Sequence, residues 1–190
     1  MQKMLKDIGE IILGHSFRGA IVEVENGNYS VLQAKNVKVN GIVEDDELVR
    51  IDLMGTKVNA LMESGDVVLS NRGTFRAGFF YGRQQNVIAA SSVYIIRINN
   101  REMCLPEYLT IYLNSQAGQT LLEVMNRGTL IKSLPKKSLM EFSLPLPHLH
   151  VQKTVIDIHK NYATRADLYE RKLRLEEQIA NQTITSLISQ

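Results

Sequence analysis

Cysteine is almost missing from this chain of 190 residues. The single thiol, Cys104, has no partner for an internal disulfide, so a reducing cytoplasm is the expected setting. Long hydrophobic runs are missing too: the longest stretch without a charge, Tyr108 to Leu122, is 15 residues, where a membrane helix needs ~20 apolar ones. No membrane association is expected. The opening residues Met1 to Ile12 carry Lys3, Lys6, Asp7 and Glu10 and lack a small-residue cleavage site, unlike a secretory signal. Proline is scarce, at 4 residues, and neither sign of charge dominates, with 22 basic against 20 acidic side chains. That balance excludes a polybasic tail and the disordered or collagen-like classes. With 44% hydrophobic residues, the chain can fill one domain and carry an appended element.

The distribution of charge says more than its sum. From Asp66 to Arg101 the bases are Arg72, Arg76, Arg83, Arg97 and Arg101, and Asp66 is the only acid. From Asn126 to Lys137 come Arg127, Lys132, Lys136 and Lys137 with no acid, while Glu44, Asp45, Asp46 and Glu47 gather elsewhere. One anion-facing side would produce this asymmetry; so would chance clustering in surface loops.

Gly and Asn punctuate the first hundred residues, at Gly27-Asn28, Asn40-Gly41, Gly65-Asp66, Gly73, Gly82 and Asn99-Asn100. Between them lie Val-, Ile- and Tyr-rich runs, Tyr29 to Ala34, Leu48 to Leu53, Val67 to Ser70, Ala77 to Tyr81 and Val93 to Ile98, which predict a small, strongly turned β-sheet. Pro106 opens a helical stripe through Tyr108, Leu109, Tyr112 and Leu113, and Leu121, Leu122 and Met125 continue it towards a stop at Gly128. The fold class is therefore α+β, with helices packed on the sheet.

Leu144-Pro145-Leu146-Pro147 is stiff and extended, and neither Gly nor Pro follows from His148 to Ile188. One helix there would run about 60 Å. The predicted domains are residues 1–146 and a long C-terminal helix over 147–190. Its apolar seam runs through Val151, Val155, Ile158, Tyr162, Ala166, Tyr169, Leu173, Ala180, Ile184 and Leu187 in steps of three and four, interrupted at Glu176. Charged flanks make it resemble a coiled-coil strand. It either pairs with a second helix, from another copy or another protein, or folds back on its own head.

Catalytic patterns are not met. His148 and His150, two apart on a helix, are expected on different faces, and no Cys or carboxylate stands at ligand spacing. Gly73 to Gly78 lacks the lysine of a phosphate loop. Glu170-Arg171-Lys172 sits mid-helix as a charged flank and not on a nuclease strand, and Cys104 has no neighbouring histidine. Neither metal nor cofactor is expected.

Binding chemistry is better represented. Asn71-Arg72-Gly73-Thr74-Phe75-Arg76 leaves a strand with two arginines, which fork onto guanine or phosphate, and a glycine that lets backbone approach a ligand. Ser16-Phe17-Arg18, Lys35-Asn36, Arg83, and Arg127 with Thr129 and Lys132 have similar composition. Solvated loops share that composition.

The order of these marks resembles one half of the specificity (S) subunit of type I restriction-modification enzymes. The resemblance rests on Ile8-Gly9-Glu10-Ile11 with Gly14-His15-Ser16-Phe17-Arg18, then Leu32-Gln33, Lys35-Asn36-Val37 and Gly41. Leu61, Gly65-Asp66-Val67, Arg72-Gly73-Thr74, Pro106-Glu107-Tyr108-Leu109, Gly128-Thr129 with Ile131, and Leu144-Pro145-Leu146-Pro147 ahead of Gln152 follow in order. Val151 departs from the family's usual Glu, and the family's usual chain has two recognition domains and two spacer helices. The resemblance implies a non-catalytic reader of double-stranded DNA, without cofactor. Its partners would be a DNA methyltransferase (M) subunit and a restriction and translocase (R) subunit, and its role phage defence. It also implies antiparallel pairing of spacer helices, hence a homodimer on a bipartite inverted repeat. An interaction scaffold that binds no DNA is the alternative.

Overall fold

A computed structural model describes residues 1–43, 46–53, 58–126 and 133–189. The chain divides into two compact units, Met1–Lys153 and Thr154–Gln190. The first is mixed α+β, and its strands form three sheets.

The largest sheet takes β2 (Gly9–Leu13), β5 (Val67–Ser70), β6 (Ala77–Phe79) and β8 (Val93–Ile98) in the antiparallel order β2-β8-β5-β6. The two central strands are unbroken apolar runs between turns, and both are covered on both faces. Edge strand β2 is covered less completely, with Gly9 and Ile11 buried, Ile12 partly buried and Glu10 and Leu13 exposed. The second sheet, β4-β3-β7, joins β3 (Tyr29–Leu32) antiparallel to β4 (Val49–Ile51) and parallel to β7 (Val87–Ala89). Leu32 and Ile88 from this sheet share one apolar core with Val68 and Ile95 from the first, completed by Phe80. The single sheet expected from the turn spacing is thus split, so that two faces close over one core.

Helices cover what remains. α1 (Leu5–Ile8) leads into β2; α2 (Pro106–Asn114) starts on Pro106, whose missing N–H costs nothing in a first turn, and buries Tyr108, Leu109 and Leu113. α3 (Gln116–Met125) is capped by Ser115, whose Oγ accepts the Gly118 N–H at 3.2 Å. The expected stop at Gly128 lies outside the described residues. At the outer edge of the large sheet the Asn114 amide acts as one more strand residue: Ala77 N–H donates to Oδ1 at 2.9 Å and Nδ2 donates to Ala77 O at 2.8 Å.

α4 (Lys136–Met140) and β9 (Ser143–Pro145) bring the chain back to its first residues, where β9 pairs with β1 (Gln2–Met4). α5 then spans Leu149–Ile188, 40 residues in one helix. Its first turn belongs to the first unit and is held by Gln152. That side chain is fully buried; it accepts the Leu105 N–H and donates to Met103 O and Pro147 O, each at 2.9 Å. The amide satisfies three backbone groups of the head, and its own buried polar atoms would be left unpaired without them. Gln152→Ala should therefore lower the unfolding free energy by about 1–3 kcal/mol. Lys153→Ala, at an exposed neighbour, should leave it unchanged in a denaturant titration.

Candidate nucleic-acid interface

Register fixes where the loops emerge. β2 pairs Leu13 with Tyr94, and β5 pairs Ser70 with Val93 and Leu69 with Ala77. The segment after β2, the β5–β6 hairpin and the turn before β8 therefore leave from the same end of the large sheet. That turn, Ala90 to Ser92, joins them. The Ser91 N–H donates to His15 O at 2.8 Å, and the His15 N–H donates to Ala89 O at 2.7 Å. Asn71 donates its N–H to Ser92 O at 3.0 Å and its Nδ2 to Ser91 O at 2.8 Å. Ser92 Oγ accepts the Ala34 N–H at 3.2 Å, which brings in the 3₁₀ turn Ala34–Asn36. Gly14 allows the approach, because a Cβ there would overlap the Ala90 carbonyl.

On this frame Ser16 and Arg18 are exposed, along one wall of a cleft of about 770 Å³ closed by Ile51 to Leu53. Phe17 packs into both apolar clusters beneath them and edge-on to His15. Lys35 is exposed on its 3₁₀ turn. Asn36 departs from the expected ligand-facing role. It is buried, and its Oδ1 accepts the Gln33 N–H at 2.9 Å, so it shapes the turn that carries Lys35.

The β5–β6 hairpin presents Arg72 and Thr74 to solvent and keeps Arg76 half-buried. Its base is closed by Ser70, whose Oγ donates to Thr74 O at 2.6 Å and accepts the Arg76 N–H at 2.7 Å. Phe75 is buried, and Gln119 Nε2 donates to its carbonyl at 2.8 Å. Gly73 sits at φ +71°, a conformation that side-chain-bearing residues rarely adopt. Arg72 lies next to Tyr94, whose hydroxyl donates to Leu134 O at 2.8 Å; burial pushes that phenol up, against the opposing pull of the Arg72 guanidinium. Arg72 also bridges Ser133, and Asn71 O accepts the Leu134 N–H at 2.9 Å. The segment following residues 127–132 is therefore part of the same cluster. Arg127, Thr129 and Lys132 themselves lie outside the described residues.

Arg83, an expected binding residue, lies away from the cluster, as do Arg97 and Arg101 of the same basic stretch. Arg83 follows β6, which runs back towards the opposite end of the sheet, where Phe79 pairs with Val67; its guanidinium lies 5.5 Å from the Tyr81 ring centroid. Arg97 forks onto buried Asp66 through Nε and Nη2, both at 2.9 Å, and reaches Glu63 at 2.6 Å. The Asp66 hydrogen bond, more than the charges of Asp66, Glu63 and Glu10, holds its guanidinium above the ordinary range. Arg101 donates to Ser64 O at 3.1 Å. The Gly65-Asp66-Val67 mark is thus a structural clamp. Ser91, Ser92 and Tyr94 were not legible as site residues, because only non-local pairing reveals them.

Catalytic chemistry is no better placed. Burial pushes the Cys104 thiol up to about 12. His148 precedes the first turn of α5, so its ring stacks on that of His150 with centroids 6.0 Å apart, contrary to the expected divergence. Among the described residues no group of three His, Cys, Asp or Glu could hold a metal ion, and no helix is long and apolar enough to cross a membrane. Along α5, Asp167–Arg171, Glu170–Arg174 and Lys172–Glu176 pair one turn apart at 3.0, 3.2 and 3.6 Å. Ile158, Tyr162, Tyr169, Leu173, Ile184 and Leu187 are each more than half exposed. Leu168, Leu175 and Ile179, which the search for one seam passed over, form a second exposed stripe seven and four residues apart.

Fold and site together define a loop-presenting α+β recognition module that carries a long helix. The family model for the type I restriction modification DNA specificity domain matches residues 1–179, and the chain belongs to that family. Solved structures share the fold. One is a chain from work on complex assembly and conformational transition of the type I R-M system, with TM-score 0.66 and 17% identity over 90% of this chain and 40% of that one. The S subunit of a type I restriction-modification system from M. genitalium gives 0.60 and 14% over 88% and 40%. The HsdS subunit from Thermoanaerobacter tengcongensis gives 0.63 and 14% over 90% and 39%. The chain spans about two fifths of the length of these proteins. No curated protein matches it by sequence.

Alkylation tests the reading of Cys104. At pH 8 the native thiol should react with iodoacetamide at least about a hundredfold more slowly than in denaturant, because almost none is thiolate. Equal rates would contradict it.

Proposed function

We propose that this chain is a non-catalytic DNA specificity module that reads double-stranded DNA with the loop cluster around Ser91 and Ser92. One observation carries the reading: His15 to Arg18, Ala34 to Asn36 and Asn71 to Arg76 converge on one turn at one end of a sheet. Exposed Arg18, Lys35 and Arg72 and half-buried Arg76 supply cations for phosphates and base edges, and Ser16 and Thr74 supply hydroxyls. Arg127, Thr129 and Lys132 join them in sequence terms. The family of the chain and the fold shared with S subunits support the same reading.

In this proposal α5 pairs antiparallel with its copy, and two-fold symmetry makes the target a bipartite inverted repeat with an unread spacer. The bare apolar seam supports the pairing. Methylation and cleavage belong to methyltransferase and translocase subunits, and the stripe Leu168, Leu175 and Ile179 is left to dock the first of these. The domain division at 146/147 stands as a functional one: a reading head and a spacing helix.

Selection from random duplexes should enrich a bipartite motif. On that duplex Arg72→Ala and Arg76→Ala should each weaken binding by ~1–3 kcal/mol, and Arg83→Ala by less than about 0.5 kcal/mol. No enriched motif, or equal losses at all three arginines, would contradict the assignment.

A further inference from the structure

We infer that α5 pairs with the α5 of a second copy in one antiparallel register, centred on Arg171; this rests on the homodimer proposed above and specifies how it is built. From Val155, the seam with Glu176 counted in runs 155, 158, 162, 166, 169, 173, 176, 180, 184 and 187. Its steps are three, four, four, three, four, three, four, four, three, the same read from either end. An antiparallel two-fold maps each helix onto the other with its direction reversed. Only a seam of this symmetry places every seam residue opposite another.

The pairs that result are Tyr169 with Leu173, Ala166 with Glu176, Tyr162 with Ala180, Ile158 with Ile184 and Val155 with Leu187. Large meets small at Tyr162 and Ala180, and two isoleucines meet near each end. Glu176, the one charged residue in the seam, faces Ala166, whose small side chain leaves it room. One residue away on the same flank stands the partner copy's Arg165, which carries no ion pair among the described residues. Glu176, which pairs with Lys172 of its own helix at 3.6 Å, thereby gains a second cation across the pair, once for each copy. Shifting the register by seven residues instead sets Ile158 opposite Glu177 and Glu176 opposite His159. Ile158, Tyr169 and Ala180 stand eleven apart, as do Tyr162, Leu173 and Ile184. That repeat calls for a nearly straight pair with slight right-handed winding, not a left-handed heptad coil.

Full-length Tyr169→Cys and Leu173→Cys chains, mixed and mildly oxidised, test the register, with light scattering of the reduced wild type alongside. The expected result is a dimer in which the disulfide joins the Tyr169→Cys chain to the Leu173→Cys chain. Self-linking of each variant would mean a parallel pair and overturn the inference. So would efficient linking of Ala166→Cys to Tyr169→Cys, the mark of a slipped register in a dimer that still exists. A monomeric wild type would instead overturn the homodimer itself. As a second readout, Glu176→Arg should weaken the dimer more than about tenfold, and adding Arg165→Glu should restore it. No rescue would overturn the pairing of those two side chains.

Discussion

The constraint on which the head depends is hydrogen bonding around the Ala90 to Ser92 turn. Three segments distant in sequence end beside it, and each brings backbone groups that it pairs. Ser91 and Ser92 satisfy them with two carbonyls, one N–H and one hydroxyl. Because the turn is fixed by β7 on one side and β8 on the other, the loops it gathers inherit the sheet's rigidity. Side chains carried on such loops keep their spacing before any ligand arrives, which lowers the ordering cost of binding.

A division of labour among the charges follows. Arg97 and Arg101 work inside the frame, on Asp66 and on the Ser64 carbonyl, and α5 pairs most of its charges with one another. The net charge of +2 therefore understates what the loop end presents. With so few exposed cations at that end, counterion release alone would give the proposed duplex contact only modest affinity.

The long elements were legible in sequence because their periodicity is local. Val93 to Ile98, Pro106 to Asn114 and α5 each repeat a pattern over enough residues to exceed the noise. β1, β7 and β9 have three residues each, too few for a period, and β1 meets β9 only after the whole head has been traversed. Loop composition identified Arg18, Lys35, Arg72 and Arg76 as candidates but could not separate them from Arg83 and Asn36. The direction of β6 decides the first of those and the packing of one 3₁₀ turn decides the second. The mirror symmetry of the α5 seam was present in the sequence throughout; periodicity alone does not disclose it.

Hydrogen–deuterium exchange of the chain, alone and with its selected duplex, tests the central claim most directly. Protection should rise together in residues 15–18, 34–36 and 71–76, with residues 82–86 unchanged, because the first three share one hydrogen-bonded end of the sheet and the last lies at the other. Protection confined to 82–86, or to only one of the three loops, would contradict the account.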